Sequence, residues 1–171
     1  YVAEHSELPL IVYNVPGRTG VSCTPEHYAR LAEIPRINGV KEASGDISLV
    51  SRTRHLCGDA LNIWSGNDDQ TLPMLALGAK GVISVASNIV PQVMATLCAA
   101  ALSGDFFTAR AIHEAYAGLF DALFYEVNPI PVKTAMQMLG WDSGRLRLPL
   151  CPMAEGNAAK LQNCLESLQL L

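Results

Sequence analysis

Lys41 and Tyr13 each lie near the carboxyl end of a short apolar run, residues 37–42 and 10–15. Apolar surroundings disfavour the charged form of a lysine, and the neutral amine is the form that attacks a carbonyl carbon. A phenol beside such an amine can relay protons while an imine forms. The alternation of side chains along each run predicts that both residues face the same interior. Position alone leaves two alternatives open: a lysine whose head reaches solvent, and a core tyrosine with a satisfied hydroxyl.

Arg18 follows the first of these runs, on a predicted loop. A guanidinium there could hold a substrate carboxylate through two parallel hydrogen bonds, although solvent is the commoner surrounding of a loop arginine. The loop glycines on the same side show neither Walker-type nor dinucleotide-binding spacing. They are predicted to form turns that bring backbone N–H groups near a small anionic ligand. These glycines are Gly17, Gly20, Gly45 and Gly66.

A repeated βα pattern must position these side chains. Apolar, β-branched runs recur, each followed by turn residues and a helical pattern, and this predicts parallel strands joined by short loops. The predicted strands are residues 10–15, 37–42, 61–64 and 81–85, and the helices between and after them are residues 25–33, 47–56, 70–77 and 90–102. Beyond residue 103 the pattern is helical only, over residues 106–126, 130–139 and 157–168. The fold class is therefore α/β, either doubly wound or a barrel.

Composition excludes several classes of function. Half of the 171 residues are hydrophobic and 16% are charged, which argues for a packed core and against disorder. The net charge is −4 and the 12 Lys and Arg residues are scattered, which disfavours nucleic-acid binding. Five cysteines without a C-x-x-C pair and four histidines without ligand spacing predict reduced thiols and no metal. These features are typical of a cytoplasmic protein.

Five segments carry motifs in a fixed order along the chain. They are Tyr13-Asn-Val-Pro-Gly-Arg-Thr-Gly20, Gly39-Val-Lys-Glu-Ala43, Ser65-Gly-Asn-Asp-Asp69, Gly78-Ala-Lys-Gly-Val-Ile-Ser84 and Asn128-Pro-Ile-Pro-Val-Lys133. Together they resemble the dihydrodipicolinate synthase family, in register over essentially the whole chain. The resemblance implies that residues 1–103 are the second half of a (β/α)8 TIM barrel and that residues 104–171 are a helical segment of three helices. It also implies a homo-oligomer, a dimer of dimers.

The resemblance assigns a role to each candidate residue. Lys41 falls on the lysine that forms an imine with pyruvate, and Tyr13 on the tyrosine that shuttles protons. Arg18 falls on the arginine that binds the carboxylate of L-aspartate 4-semialdehyde. Gly66 and Ile83 fall on positions that line the site, the latter near the lysine through its backbone carbonyl. The implied product is 4-hydroxy-tetrahydrodipicolinate, made on the way to diaminopimelate and lysine, with no metal or organic cofactor.

Two alternatives to this function stay open. Sibling pyruvate-dependent aldolases, the sialic acid lyases and the keto-deoxy-sugar acid aldolases, share the tyrosine and the lysine but take a different aldehyde. Arg18 favours the synthase, because it suits a short aldehyde that bears a carboxylate. The second alternative is a non-catalytic fragment, since the chain starts at Tyr1 with what resembles the polar end of a helix. We expect a piece of a longer chain that is inactive alone.

Overall fold

A computed structural model describes residues 1–171 and shows a three-stranded parallel sheet in the order β1-β2-β3, with helices between the strands. The strands are β1 (Leu10–Asn14), β2 (Ile37–Glu42) and β3 (Asn62–Ser65). The helices are α1 (Pro16–Thr19), α2 (Pro25–Ala32), α3 (Ile47–Cys57), α4 (Thr71–Ala76), α5 (Pro91–Leu102), α6 (Phe106–Ala122), α7 (Ile130–Met138) and α8 (Glu155–Ser167). The α/β class predicted from the βα pattern is confirmed.

Strand register separates the sheet into two chemically different faces. Residues that are Cα partners in a parallel pair point to the same face, and successive residues alternate between faces. The helix-covered face carries an apolar row of Val12, Val40 and Ile63. At the carboxyl ends of the strands, this face continues with the polar row of Asn14, Glu42 and Ser65, all buried. The opposite, open face carries Tyr13, Lys41 and Trp64 at the corresponding level.

Two helices that cover the sheet begin at side-chain caps. The hydroxyl of Thr24 accepts the N–H of His27 at 3.3 Å, and the His27 ring accepts the N–H of Thr24 at 3.1 Å. The carboxylate of Asp46 accepts the N–H of Leu49 at 3.0 Å. Each cap satisfies donors that the first turn of a helix leaves without partners. The core beneath these helices consists of Tyr28, Val40, Leu49, Val50, Leu61, Ile63, Met74 and Ala79.

The prediction of a fourth strand over residues 81–85 is wrong. Only a single bridge forms there, between Ser65 and Val82. Gly81 has a φ of 152°, which L side chains rarely adopt, and Val85 already has helical dihedrals before a 3-10 turn. The extended stretch between them is therefore too short for a regular ladder.

The chain divides into two compact units, one of Tyr1–Ile83 with Cys98–Asp105 and one of Ser84–Leu97 with Phe106–Leu171. In the second unit, α8 packs against both α6 and α7. Lys133 and Asp142 form an ion pair at 2.6 Å, and the carboxylate of Glu126 accepts the side-chain amide of Asn157 at 2.9 Å. The core of this unit includes Ala109, Leu119, Phe120, Leu123, Ile130, Ala135, Leu161 and Leu165. No helix of the chain is both long and apolar enough to span a bilayer.

Candidate functional site

Tyr13 and Lys41 lie side by side at the carboxyl ends of β1 and β2. They are Cα partners across the two strands, so both side chains rise from the open face. The Lys41 Nζ lies 4.3 Å from the centroid of the Tyr13 ring. Tyr13 is 46% exposed, whereas Lys41 is half-buried. This arrangement places an amine next to a phenol on a surface that a small carbonyl compound can reach.

Gly66 closes over the side chain of Lys41. A Cβ at this position would lie 3.2 Å from Lys41 Cε, 3.0 Å from the Glu42 carbonyl oxygen and 2.5 Å from Ala43 Cβ. The Gly66 N–H donates to that carbonyl of Glu42 at 2.7 Å. Any side chain here would displace the backbone after β2 or the lysine itself. Glycine is therefore required by the close approach of the chain after β3 to the chain after β2 and to Lys41.

Arg18 lies in a short helix rather than in the loop that the sequence predicted. The four residues of α1 end at Gly20, whose left-handed φ of 69° lets its N–H reach the Pro16 carbonyl at 2.9 Å. The Arg18 side chain is exposed. A four-residue helix is too short for an apolar periodicity, so the sequence pattern held no signal for it. The structure keeps Arg18 just beyond the end of the strand that carries Tyr13.

Ile83 lies beyond β3, along the edge of the sheet that β3 leaves open. Its N–H donates to the Ser65 carbonyl at 2.8 Å, and the Ser65 N–H donates to the Gly81 carbonyl at 2.9 Å. The Ile83 side chain is 39% exposed. The chain after Gly81 thus lies where a fourth strand would lie, although only one bridge is formed.

A buried polar network lies behind Lys41 and Tyr13, and sequence reasoning missed it. The Glu42 carboxylate is 3% exposed and accepts hydrogen bonds from the hydroxyl of Tyr28 and the side-chain amide of Asn14. It also accepts the backbone N–H of Ser44 at 2.7 Å. Burial, followed by the adjacent Glu42 carboxyl, raises the pKa of Tyr28 above its usual range. The available signal was the presence of two polar residues, Asn14 and Glu42, at strand positions that alternate onto the core face.

A cysteine lies at the margin of this network. The Cys23 N–H donates to the side-chain carbonyl of Asn14 at 3.2 Å. Burial raises the pKa of the Cys23 thiol, so the thiol form is favoured over the reactive thiolate. No group of three or more His, Cys, Asp or Glu side chains is arranged to hold a metal ion.

The fold and these side chains define an α/β protein of parallel βα units, with a lysine amine and a phenol paired at the carboxyl ends of its strands. The sequence model of the Dihydrodipicolinate synthetase family matches residues 1–168, and the chain belongs to this family. The resemblance carried by the motifs is thereby confirmed.

Curated relatives and solved structures agree with this membership. The 4-hydroxy-tetrahydrodipicolinate synthase of Geobacter sulfurreducens is 49% identical over 170 residues, which cover 99% of this chain and 59% of that protein. The crystal structure of dihydrodipicolinate synthase from Thermotoga maritima matches with a TM-score of 0.96 at 44% identity, covering 100% of this chain and 59% of that one.

A third match is the chloride-inhibited dihydrodipicolinate synthase from Acinetobacter baumannii, solved in complex with pyruvate. Its TM-score is 0.97 at 41% identity, and the match covers 99% of this chain and 58% of that one. The chain thus spans slightly less than three fifths of the length of these relatives.

Proposed function

We propose that this protein condenses pyruvate with L-aspartate 4-semialdehyde to give 4-hydroxy-tetrahydrodipicolinate, within diaminopimelate and lysine biosynthesis. The observation that carries the proposal is the pairing of Lys41 with Tyr13, whose ring centroid lies 4.3 Å from the lysine nitrogen. Membership of the family and the synthase names of its relatives support it. These relatives are named as synthases and not as aldolases, so they do not favour the alternative function of a sibling aldolase.

The chemistry begins at the Lys41 amine. The neutral amine attacks the keto carbon of pyruvate, and loss of water leaves an iminium that withdraws electrons from the neighbouring methyl group. Loss of a methyl proton gives an enamine, whose carbon then attacks the aldehyde carbon of the semialdehyde. The amine of the semialdehyde next attacks the imine carbon, which closes the ring and releases Lys41. The lysine itself supplies the electron sink, so the scheme needs no metal or organic cofactor.

Two further side chains support these steps. The Tyr13 hydroxyl carries protons to and from the carbinolamine and the new alkoxide, which is a role that its position beside Lys41 allows. The exposed Arg18 guanidinium, just after β1, binds the carboxylate of the semialdehyde. Gly66 and Ile83 border the space around Lys41.

The chain corresponds in this proposal to the second half of a (β/α)8 barrel, residues 1–103, followed by a helical segment, residues 104–171. Three parallel strands and a bridge at the position of a fourth support four βα units. The open face and the unpaired edge of β1 are what the other half of a barrel would cover. The working protein is a cytoplasmic homo-oligomer, a dimer of dimers.

Trapping of the imine tests the function. The protein with its complete proposed barrel, rather than residues 1–171 alone, is incubated with pyruvate, reduced with borohydride, digested and analysed by peptide mass spectrometry. We expect one reduced pyruvyl adduct, on Lys41, and none after Lys41→Arg. The exposed Lys80 is an internal control, because a nonspecific reaction would modify it at least as readily.

Either of two results would overturn the proposal. An adduct on Lys80 or Lys133 in place of Lys41 would remove the assigned nucleophile. If the Lys41 adduct forms but the enzyme turns over a sugar acid and not aspartate semialdehyde, the protein is a sibling aldolase.

A further inference from the structure

The buried carboxylate of Glu42 makes more directional contacts than packing alone requires. Asn14 Nδ2 donates to Oε1 at 3.1 Å and to Oε2 at 3.0 Å, and the Ser44 N–H donates to Oε1 at 2.7 Å. The hydroxyl of Tyr28 donates to Oε2. Each contact is one that an ionised carboxylate accepts. Three separate parts of the chain, β1, α2 and the turn after β2, therefore converge on one side chain.

Asn14 and Glu42 each directly follow a residue of the candidate site. Asn14 comes directly after Tyr13, and Glu42 directly after Lys41. Asn14 and Glu42 are Cα partners on the covered face, as Tyr13 and Lys41 are on the open face. The side-chain link on one face thus lies directly behind the amine and phenol on the other.

We propose that Asn14 and Glu42 are a positioning pair that fixes the ends of β1 and β2 and thereby holds Tyr13 beside Lys41. The proposal rests on the function proposed above. It assigns the pair no contact with substrate; the pair acts only through Tyr13 and Lys41, the residues directly before Asn14 and Glu42 in the sequence.

Energetics favour positioning over simple stabilisation. Burying a carboxylate is unfavourable, and none of the ion pairs in the structure includes Glu42. Two aliphatic side chains would fill the same space without that desolvation penalty. What the carboxylate adds is direction, because its hydrogen bonds fix both the distance and the angle between the strands.

The backbone transmits the link to the site. The Ala43 N–H donates to the Asn14 carbonyl at 2.9 Å, and the Gly66 N–H donates to the Glu42 carbonyl at 2.7 Å. Both bonds lie at the point where the strand ladders end. Loosening the side-chain pair therefore releases the backbone on either side of Lys41 and lets its amine move away from Tyr13.

A swap of the two functional groups tests the proposal. Asn14→Asp sets two carboxylates against each other, and Glu42→Gln sets two amides against each other, whereas the double variant restores one amide and one carboxylate. We expect each single variant to form the Lys41 pyruvate adduct at least about 10-fold more slowly, because a misplacement of about 1 Å costs on the order of 10²-fold. The KM for pyruvate should stay within about twofold, and the double variant should recover most of the rate.

Tyr28→Phe is the matched control. It removes a donor to the same carboxylate but leaves the link between the strands intact. We expect a lower melting temperature and an adduct rate within about twofold of the unsubstituted protein. If a single swap variant does not fold, Asn14→Ala removes the amide without adding a charge and should show the same loss of rate.

The outcomes separate this proposal from the proposed function. Single variants that are less stable but react at the normal rate per folded molecule would overturn the positioning role, as would a double variant without recovery. If the unsubstituted protein forms no adduct, the proposed function fails instead. Hydrogen exchange at the Ala43 N–H then tests the pair independently, since exchange should be faster in each single variant and slow again in the double variant.

Discussion

Replacing Gly66 by alanine should perturb both stability and reactivity, by amounts that the contacts determine. Carbon atoms in ordinary contact lie about 3.5–4.0 Å apart. The added Cβ would start 3.2 Å from Lys41 Cε and 2.5 Å from Ala43 Cβ. The lysine must therefore retreat by about 0.5 Å, and the backbone around Ala43 must move by about 1 Å. Overpacking of this kind costs about 1–3 kcal/mol of the free energy of unfolding.

The shift of Lys41 should also slow its reaction with pyruvate. A misplacement of about 1 Å can reduce a rate by about 10²-fold, so the smaller retreat of Lys41 corresponds to about 10-fold. The backbone φ at Gly66 is not in the left-handed region, so the effect arises from contacts alone. Urea unfolding measures the stability term, and borohydride trapping at timed intervals measures the rate at Lys41.

Gly118→Ala is the control for a substitution without contacts. Gly118 lies inside α6, and a Cβ there would meet nothing within 4 Å. Alanine is favoured over glycine in a helix by about 0.5–1 kcal/mol, so this variant should be slightly more stable and react normally. The reasoning fails if Gly66→Ala unfolds within about 0.5 kcal/mol of the parent protein and forms the adduct at the parent rate.

Four further outcomes follow from the site and the fold. Tyr13→Phe should reduce turnover by about 10²–10⁴-fold with the melting temperature unchanged, because only a proton-relaying hydroxyl is lost; normal turnover would make Tyr13 a packing residue. Arg18→Ala should lower kcat/KM for the semialdehyde by the equivalent of about 1.5–3 kcal/mol and leave kcat/KM for pyruvate unchanged. Equal losses for both substrates would contradict the role of Arg18. The hydrogen bond from Lys133 lowers the pKa of Asp142, so this pair stabilises the fold above the usual carboxyl pKa, and the contribution is lost as the pH falls through that lowered value. Urea unfolding from pH 6 down to pH 3 should accordingly show a smaller loss of stability in Asp142→Asn than in the parent protein, and parallel curves would refute the assignment. Residues 1–171 prepared alone should associate and show little condensation, because β1 has one strand partner only and the open face of the sheet is uncovered; light scattering that shows a monomer, with full turnover in the assay, would contradict this.

Local sequence signals predicted the strands and helices whose bounds depend on residues within or next to them. The apolar, β-branched runs gave β2 at its observed bounds and β1 to within one residue. Two local features lie at helix ends: Thr24 before Pro25 caps the start of α2, and Gly78, with a φ of 89°, follows the end of α4. These elements are specified by residues adjacent to them, so one sequence contains the necessary information.

The remaining features depend on pairing between distant residues. The link between Asn14 and Glu42 exists only once β1 and β2 take their register, which no local pattern specifies. The requirement for glycine at position 66 likewise arises from residues distant in sequence, first Ala43 and then Glu42 and Lys41. The fourth predicted strand failed because the φ of Gly81 depends on a turn that hydropathy does not describe. Alternation along the strands predicted that Tyr13 and Lys41 share a face, but not how they are held there.

Trp64 turns the open face of the sheet into an optical reporter. It is the Cα partner of Lys41, and its indole ring lies 2.7 Å from where a Cβ of Gly39 would be, so it covers the open face over Gly39, two residues before Lys41. The only other tryptophan, Trp141, is 58% exposed in the other compact unit. Trp141→Phe leaves Trp64 as the single tryptophan, one strand away from Lys41. We expect conversion of the amine to an iminium on the neighbouring strand to change the emission of that indole, so that stopped-flow fluorescence would time the covalent step without an added label.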